Sequence, residues 1–121
     1  MFLTLNHRNL DVYKFSRKFL VECYKLTKAF PPEQKFGMIS QIRRAALSIH
    51  LNIAEGSSRK SESERKRYFE IARGSVIEID AALDIAKDID YLNNYDLTKL
   101  GETMIKCFKL LSGLIDSKVS H

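Results

Sequence analysis

The sequence predicts an all-α protein, an antiparallel up-down-up-down four-helix bundle formed as a single domain over residues 1–121. Apolar residues recur at steps of three and four along four segments, and no segment alternates long enough for a strand. The 121 residues include only five glycines and two prolines, so few points interrupt the chain. All three predicted connections are short, which makes consecutive helices antiparallel neighbours.

The first predicted helix spans about residues 9–29. Asn9 is the expected N-cap, and the helix ends at Phe30 because the residue before a proline is pushed out of the helical region. The apolar face that predicts this helix consists of Val12, Phe15, Phe19, Cys23, Leu26 and Phe30.

The second predicted helix spans about residues 32–55. Pro32 is a favourable first helical residue, and Gly56 is the expected C-terminal stop. Its heptad-like face consists of Ile39, Ile42, Ala46, Ile49 and Ile53, and a second apolar line beside it of Leu47, Leu51 and Ala54.

The third and fourth predicted helices span about residues 61–91 and 96–116. Ser61 and Glu64 form a capping-box pattern, and Asp96 is a suitable cap for the last helix. The third helix has two apolar lines, one through Ala72, Val76 and Ile79 and another through Ile71, Ser75, Ala82, Ile85 and Ile89. Faces this wide predict either that the second and third helices are the most buried in the monomer or that another subunit covers them.

Composition and charge limit the classes of function. The chain is 45% hydrophobic and 29% charged, as in ordinary globular proteins, and has no apolar run that could span a bilayer. We expect Cys23 and Cys107 to be buried free thiols in a protein of a reducing compartment. No signal peptide is evident, so we expect a cytoplasmic protein. The net charge of +5 is uneven, with 15 cationic and 7 acidic residues in 1–73 but 5 and 8 in 74–121. This asymmetry suggests an anionic partner or head-to-tail contact between copies.

The sequence gives no sign of catalytic chemistry. None of the three histidines has a carboxylate three residues before it, as a di-iron bundle requires, and all five glycines are isolated from one another. Nothing in the sequence places a nucleophile beside His50, for which we expect a place on the helix surface or at an interface. We therefore expect no metal, no cofactor and no small-molecule substrate.

The cationic residues carry the functional signal. A cluster of this kind binds phosphate backbones through charge neutralisation and counterion release, although a solvated face interleaved with glutamates is the alternative. Asn52 and Glu55 share one helical face with Arg59 just beyond it, and we expect them to hold the turn between helices two and three. The candidate nucleic-acid-binding residues are Arg43, Arg44, Arg59, Lys60, Arg65, Lys66, Arg67 and Arg73.

Three stretches, QIRRAALSI (41–49), NIAEG (52–56) and ARGS (72–75), resemble the signature of a four-helix-bundle family named after proteins encoded in intervening sequences of 23S ribosomal RNA. The resemblance extends from about Leu10 to Leu114. It implies a bacterial homopentamer, and makes Asn52, Glu55, Gly56, Gly74 and Ser75 structural motif positions. His50 departs from the family pattern.

A relative in this family is the accessory variability determinant of diversity-generating retroelements, a basic pentamer that binds nucleic acid and a reverse transcriptase. By this resemblance, Arg43, Arg44, Arg59 and Arg73 are the matching cationic positions. The first hypothesis is therefore a non-enzymatic homo-oligomer that binds RNA or a nucleoprotein partner. The alternative is a structural or protein-interaction scaffold without a nucleic-acid ligand, and an enzyme is a third possibility.

Overall fold

Four α-helices make up the structure, a computed structural model that describes residues 1–3, 5 and 10–117. They are α1 (Asp11–Lys28), α2 (Met38–Ser58), α3 (Glu62–Asp88) and α4 (Thr98–Asp116), with a short 3₁₀-helix at Pro32–Gln34 before α2. No strand occurs among the described residues. α1 and α3 each pack against both α2 and α4. The predicted all-α four-helix bundle is confirmed.

Side-chain contacts between neighbouring helices give their relative directions. Two contacts in each pair give the direction, because the residue numbers in contact rise along one helix as they fall along the other, so neighbouring helices run antiparallel. Ser16 contacts His50 and Thr27 contacts Arg43 between α1 and α2, and Ser48 contacts Ser75 while Gly56 approaches Tyr68 between α2 and α3. Between α3 and α4, Arg73 contacts Ser112 and residues 76–80 share a groove with residues 104–109. Between α1 and α4, residues 10–12 share a groove with residues 109–114, and residues 14–22 share one with residues 99–103.

The core lies along the common axis and consists of the predicted apolar faces. Each helix contributes fully buried side chains, because its apolar residues recur at the helical period. The largest of them are Phe19 and Leu26 on α1, Ile42, Ile49 and Ile53 on α2, Val76 and Ile79 on α3, and Leu111 on α4. None of the described helices is long and apolar enough to cross a bilayer.

The connection between α1 and α2 is longer than the sequence predicts. Only the 3₁₀-helix follows the two prolines, and Gly37 adopts a non-helical conformation (φ −107°, ψ −111°), so α2 begins at Met38 rather than at residue 32. Gln34 Nε2 donates a hydrogen bond of 3.1 Å to the hydroxyl of Tyr91, which attaches this connection to the end of α3. The predicted N-cap of α1, Asn9, lies outside the described residues.

The turn between α2 and α3 is very tight. Gly56 does not stop α2, which continues to Ser58, and the glycine is instead buried where the two helices approach most closely. A Cβ atom at position 56 would lie only 2.9 Å from the Cβ of Tyr68. The predicted cap of α3 is confirmed, since Ser61 Oγ accepts a hydrogen bond of 3.3 Å from the backbone N–H of Glu64.

The end of α3 is a Schellman-type turn. Asp90 adopts a left-handed conformation (φ 64°), and the N–H groups of Asp90 and Tyr91 bond back to the carbonyls of Lys87 and Ala86. α3 therefore ends at Asp88, three residues before the predicted end. Asp96 then accepts a hydrogen bond of 3.0 Å from the N–H of Thr98. Hydrogen bonding with the side chain of Thr98, and then with its backbone, lowers the pKa of the Asp96 carboxyl.

Candidate nucleic-acid interface

Two of the eight predicted cations join neighbouring helices. Arg43 Nε donates a hydrogen bond of 2.8 Å to Thr27 Oγ1, and its guanidinium lies 4.5 Å from the ring centroid of Tyr24 on α1. Arg73 Nη1 donates a hydrogen bond of 3.2 Å to Ser112 Oγ on α4. Both side chains are half-buried, and their hydrogen-bond partners are neutral hydroxyl groups, so each guanidinium is held against a neighbouring helix but keeps its positive charge.

Arg59 closes the turn between α2 and α3. Its Nη2 atom lies 2.6 Å from Glu55 Oε1 and 3.2 Å from the hydroxyl of Tyr68. The negative charge of Glu55 raises the pKa of the Arg59 guanidinium, with a smaller effect from Tyr68. Arg59 and Glu55 thus link the end of α2 to the first turns of α3.

Arg65 stabilises the same turn, whereas Lys66 forms an ion pair within α3. Arg65 Nη1 donates hydrogen bonds to the carbonyls of Arg59 (2.9 Å) and Lys60 (2.8 Å) just beyond the end of α2. Lys66 Nζ lies 3.1 Å from Glu62 Oε1 one helical turn earlier. Five of the eight predicted cations therefore take part in contacts within the chain.

The remaining three predicted cations are exposed. The side chains of Arg44, Lys60 and Arg67 form no hydrogen bond or ion pair with any residue that the structure describes. Lys60 lies in the turn and Arg67 is about two helical turns further along α3. Arg44 lies sixteen residues before Lys60, or about 24 Å at the rise of an α-helix. The eight residues therefore do not form a single patch.

A polar contact between Ser48 and Ser75 joins α2 to α3, and two other structural motif positions, Asn52 and Gly74, lie beside it. Asn52 Nδ2 donates to the carbonyl (2.8 Å) and the hydroxyl (3.1 Å) of Ser48, and Ser75 Oγ donates to Ser48 Oγ at 3.3 Å. The sequence predicts that Asn52 holds the turn, but its hydrogen bonds are made within α2. Of the two residues, Asn52 and Glu55, only Glu55 contacts the turn, through Arg59. No atom would lie within 4 Å of a Cβ at Gly74, so packing within the chain does not require a glycine there.

His50 has a neighbour that the sequence did not indicate. Its Nδ1 atom lies 2.7 Å from Ser16 Oγ, and its ring lies 4.3 Å from that of Tyr13. Ser16 Oγ also lies 2.9 Å from the carbonyl oxygen of Tyr13, to which its hydroxyl can donate. Because Ser16 is buried, its contact with His50 joins α1 to α2 inside the bundle.

Several apolar side chains remain exposed on α2, α3 and α4. Of the two explanations that the sequence leaves for the wide apolar faces, burial within one chain does not account for these residues. About half of the surface of each is accessible: Leu47 and Leu51 on α2, Ile71, Ile77 and Ile85 on α3, Ile89 just beyond the end of α3, and Ile105 on α4. Within the described residues, no group of three or more His, Cys, Asp or Glu is placed to hold a metal ion.

Comparisons with other proteins agree with this architecture. The sequence model of the family described as 23S rRNA-intervening sequence protein matches residues 8–113. A crystal structure of a protein with unknown function from the S23 ribosomal protein family of Bacteroides thetaiotaomicron VPI-5482 is similar, at 27% identity and a TM-score of 0.78. The similarity covers 88% of this chain and 96% of the other. The search of curated proteins finds no match.

Proposed function

Because the chain belongs to the 23S rRNA-intervening sequence protein family, we propose that it acts without catalysis, as a cytoplasmic homo-oligomeric bundle that binds RNA or an RNA–protein assembly. The observation that carries the proposal is the set of three exposed cations at Arg44, Lys60 and Arg67. Their charges are not neutralised by any described residue, so they are available to phosphates.

The exposed apolar side chains support self-association. A monomeric protein rarely exposes neighbouring apolar side chains over several helical turns, and a second copy of the chain would remove them from water. Ile71 and Ile85 are fourteen residues apart and therefore lie on the same side of α3, where they are 43% and 53% exposed. Ile77 is 54% exposed on the side of α3 nearer α4, beside Ile105. An interface over either side would bury these side chains without disturbing the core.

The alternative function, a scaffold without a nucleic-acid ligand, also has an observation in its favour. Half of the predicted cations, namely Arg43, Arg59, Arg65 and Arg73, stabilise contacts between helices or close a turn. If the three exposed cations serve subunit assembly instead, the protein will form oligomers and will not bind RNA.

RNA binding across a salt series tests the proposal. We expect the wild-type protein to bind a labelled stem–loop RNA, with log affinity falling linearly against log salt. The variant Arg44→Glu/Lys60→Glu/Arg67→Glu should reduce the magnitude of this slope by about 2, since each phosphate contact contributes about 0.7 to 0.9. These three residues are chosen because they form no contact that holds the fold, unlike Arg65.

A matched control separates a local effect from net charge. Lys28→Glu/Lys35→Glu/Lys87→Glu changes the charge by the same amount at exposed positions away from the candidate residues. We expect this control to retain most of the wild-type slope, and circular dichroism to show equal helicity in all three proteins. A wild-type protein that does not bind RNA at low salt would refute the proposed function, and equal losses in both variants would refute these residues as the site.

A further inference from the structure

A groove of about 740 Å³ separates α1 from α4, on a surface that the sequence analysis did not assign to any function. Lys14, Arg17 and Lys18 line it from α1, and Lys99 lines it from α4. Lys106 of α4 borders the groove through its contact with Phe15. All five cations are exposed, and none forms an ion pair within the described part of the chain.

The acidic residues of the groove do not neutralise these cations. Of the two carboxylates that line it, Glu22 lies 3.4 Å from Lys25 Nζ and is already paired. Glu102 is exposed and forms no ion pair among the described residues. Six cations, with Lys25 included, thus face two carboxylates, and the groove has an excess of positive charge.

The aromatic side chain of Phe15 lies among these cations. Phe15 belongs to the apolar face of α1, but it is half-buried and lines the groove, whereas the other members of that face are fully buried. Lys18 Nζ lies 5.1 Å and Lys106 Nζ 5.8 Å from the centroid of its ring. Cations arranged around a partly accessible aromatic ring are typical of surfaces that bind single-stranded nucleic acids.

We propose that this groove binds a short stretch of single-stranded nucleic acid, with its phosphates on the cations of α1 and α4 and one base stacked on Phe15. The inference rests on the proposed RNA-binding function and adds a surface distinct from Arg44, Lys60 and Arg67. A single strand fits better than a duplex, because the bases of a duplex are already stacked and cannot reach a ring inside a groove.

Stacking on Phe15 is compatible with the lysines beside it. Contacts between an exposed ammonium group and an aromatic ring are weak compared with base–aromatic stacking. A base that displaces Lys18 from the ring frees that ammonium group for a phosphate. Lys99 and Lys106 are separated by about 10 Å along α4, which corresponds to about three phosphates at the 3.4 Å spacing of a stacked strand.

Removal of the positive charge tests the phosphate contacts. Lys14→Gln/Arg17→Gln/Lys18→Gln neutralises the α1 side of the groove with a residue that favours helices. For a labelled 12-nucleotide oligouridylate, we expect the slope of log affinity against log salt to fall in magnitude by about 2, at 0.7 per single-strand contact. Lys28→Gln/Lys35→Gln/Lys87→Gln is the matched control and should leave the slope unchanged.

A tryptophan at position 15 tests the stacked base. The natural sequence contains no tryptophan, so Phe15→Trp introduces a single indole whose fluorescence reports directly on the groove. We expect oligouridylate to quench this fluorescence, and an abasic strand with the same number of phosphates to leave it nearly unchanged. Phe15→Leu should weaken oligouridylate binding by about 5- to 150-fold, the effect of losing one stacked base, without changing the salt slope.

The outcomes separate this inference from the proposed function. If the wild-type protein binds RNA but the groove variants bind it equally well, the groove assignment is wrong and the proposed function stands. If the abasic strand quenches as strongly as oligouridylate, or Phe15→Leu binds normally, the assignment to a single strand with a stacked base is wrong. If the wild-type protein binds neither the stem–loop RNA nor oligouridylate, both proposals fail.

Discussion

At the scale of single residues, the two thiols show how strongly the core controls chemistry. Cys23 on α1 and Cys107 on α4 have no accessible surface. Burial raises the pKa of each to about 12, and for Cys23 the proximity of Cys107 and Glu22 adds to the effect. Because the thiolate is the reactive form of cysteine, both side chains act as small apolar groups in the folded protein.

We predict that these thiols make stability fall at alkaline pH. Their pKa is raised on folding, so their contribution is complete below pH 9, where unfolded thiols are protonated, and declines as the pH rises towards 12. Between pH 9 and 10 the rate at which the free energy of unfolding falls should approach about 1.4 kcal/mol per pH unit for each thiol. Urea unfolding of the wild type and Cys107→Ala measures it, since the variant should show a shallower decline. Parallel declines in the two proteins would contradict the prediction.

Burial was predictable from the sequence at this scale, but side-chain partners were not. The helical period identified the buried faces, yet it could not show that Phe15 faces a groove or that Ser16 contacts His50. Arg43 and Arg73 appeared as candidate ligands for phosphate, whereas the structure gives each an intramolecular hydrogen bond. Such partners come from other helices, and their positions depend on how the helices pack. Recurrence of cations at helical spacing on α1, at Lys14, Arg17 and Lys18, is the signal that could have indicated the groove.

At the scale of elements, local chemistry determined which boundaries were predictable. Ser61 has the side chain of an N-cap and acts as one. Glycine often ends a helix, but Gly56 lies inside α2. It is there because the close approach of α3 leaves no room for a side chain at this position. The early end of α3 depends on the left-handed conformation of Asp90. Aspartate tolerates this conformation, but its presence in the sequence does not predict it.

We predict opposite effects for alanine at two glycines of this fold. At Gly56 a methyl group would lie 2.9 Å from Tyr68 Cβ and 3.1 Å from Phe69 Cε1, so the helices must separate. Gly56→Ala should lower the free energy of unfolding by about 1 to 2 kcal/mol, the cost of overpacking less the gain in helix propensity.

Gly101→Ala is the control, since nothing lies within 4 Å of a Cβ at that position in α4. It should raise the free energy of unfolding by about 0.5 to 1 kcal/mol, as expected for an unobstructed helix interior. Urea unfolding measures both variants. Stabilisation by Gly56→Ala would show that the hairpin of α2 and α3 is looser than described.

At the scale of the whole molecule, the order of the helices followed from their short connections. Each helix contacts its two neighbours around the bundle, as the up-down-up-down arrangement requires. The sequence could not decide what covers the second apolar lines, because that depends on surfaces outside one chain. Leu51 and Ile85 on these lines are each more than half exposed, as is Ile77 elsewhere on α3, and this exposure underlies the proposal of self-association.

We predict that a charged side chain at these exposed apolar positions disrupts the assembly of subunits rather than the folding of the chain. Ile77→Glu and Leu51→Glu place a carboxylate at positions that are 54% and 55% exposed in the single chain, so helicity should hardly change. Light scattering should show that the wild type is heavier than one 14.0 kDa chain and that each variant is lighter than the wild type. Phe36→Glu, at a 90% exposed position between helices, is the control and should assemble normally. Wild-type mass in both variants would place the interface elsewhere.

The contact at Gly56 also has a consequence for how this protein can diverge. Because Tyr68 and Phe69 occupy the space that a side chain at position 56 would need, no other residue can replace the glycine while both neighbours keep their positions. The nearest atom is the Cβ of Tyr68, which every residue except glycine carries, so a shorter side chain at position 68 would not make room. A replacement of Gly56 therefore has to be accompanied by a shift of α3, and we expect relatives that lack the glycine to have a wider hairpin between α2 and α3.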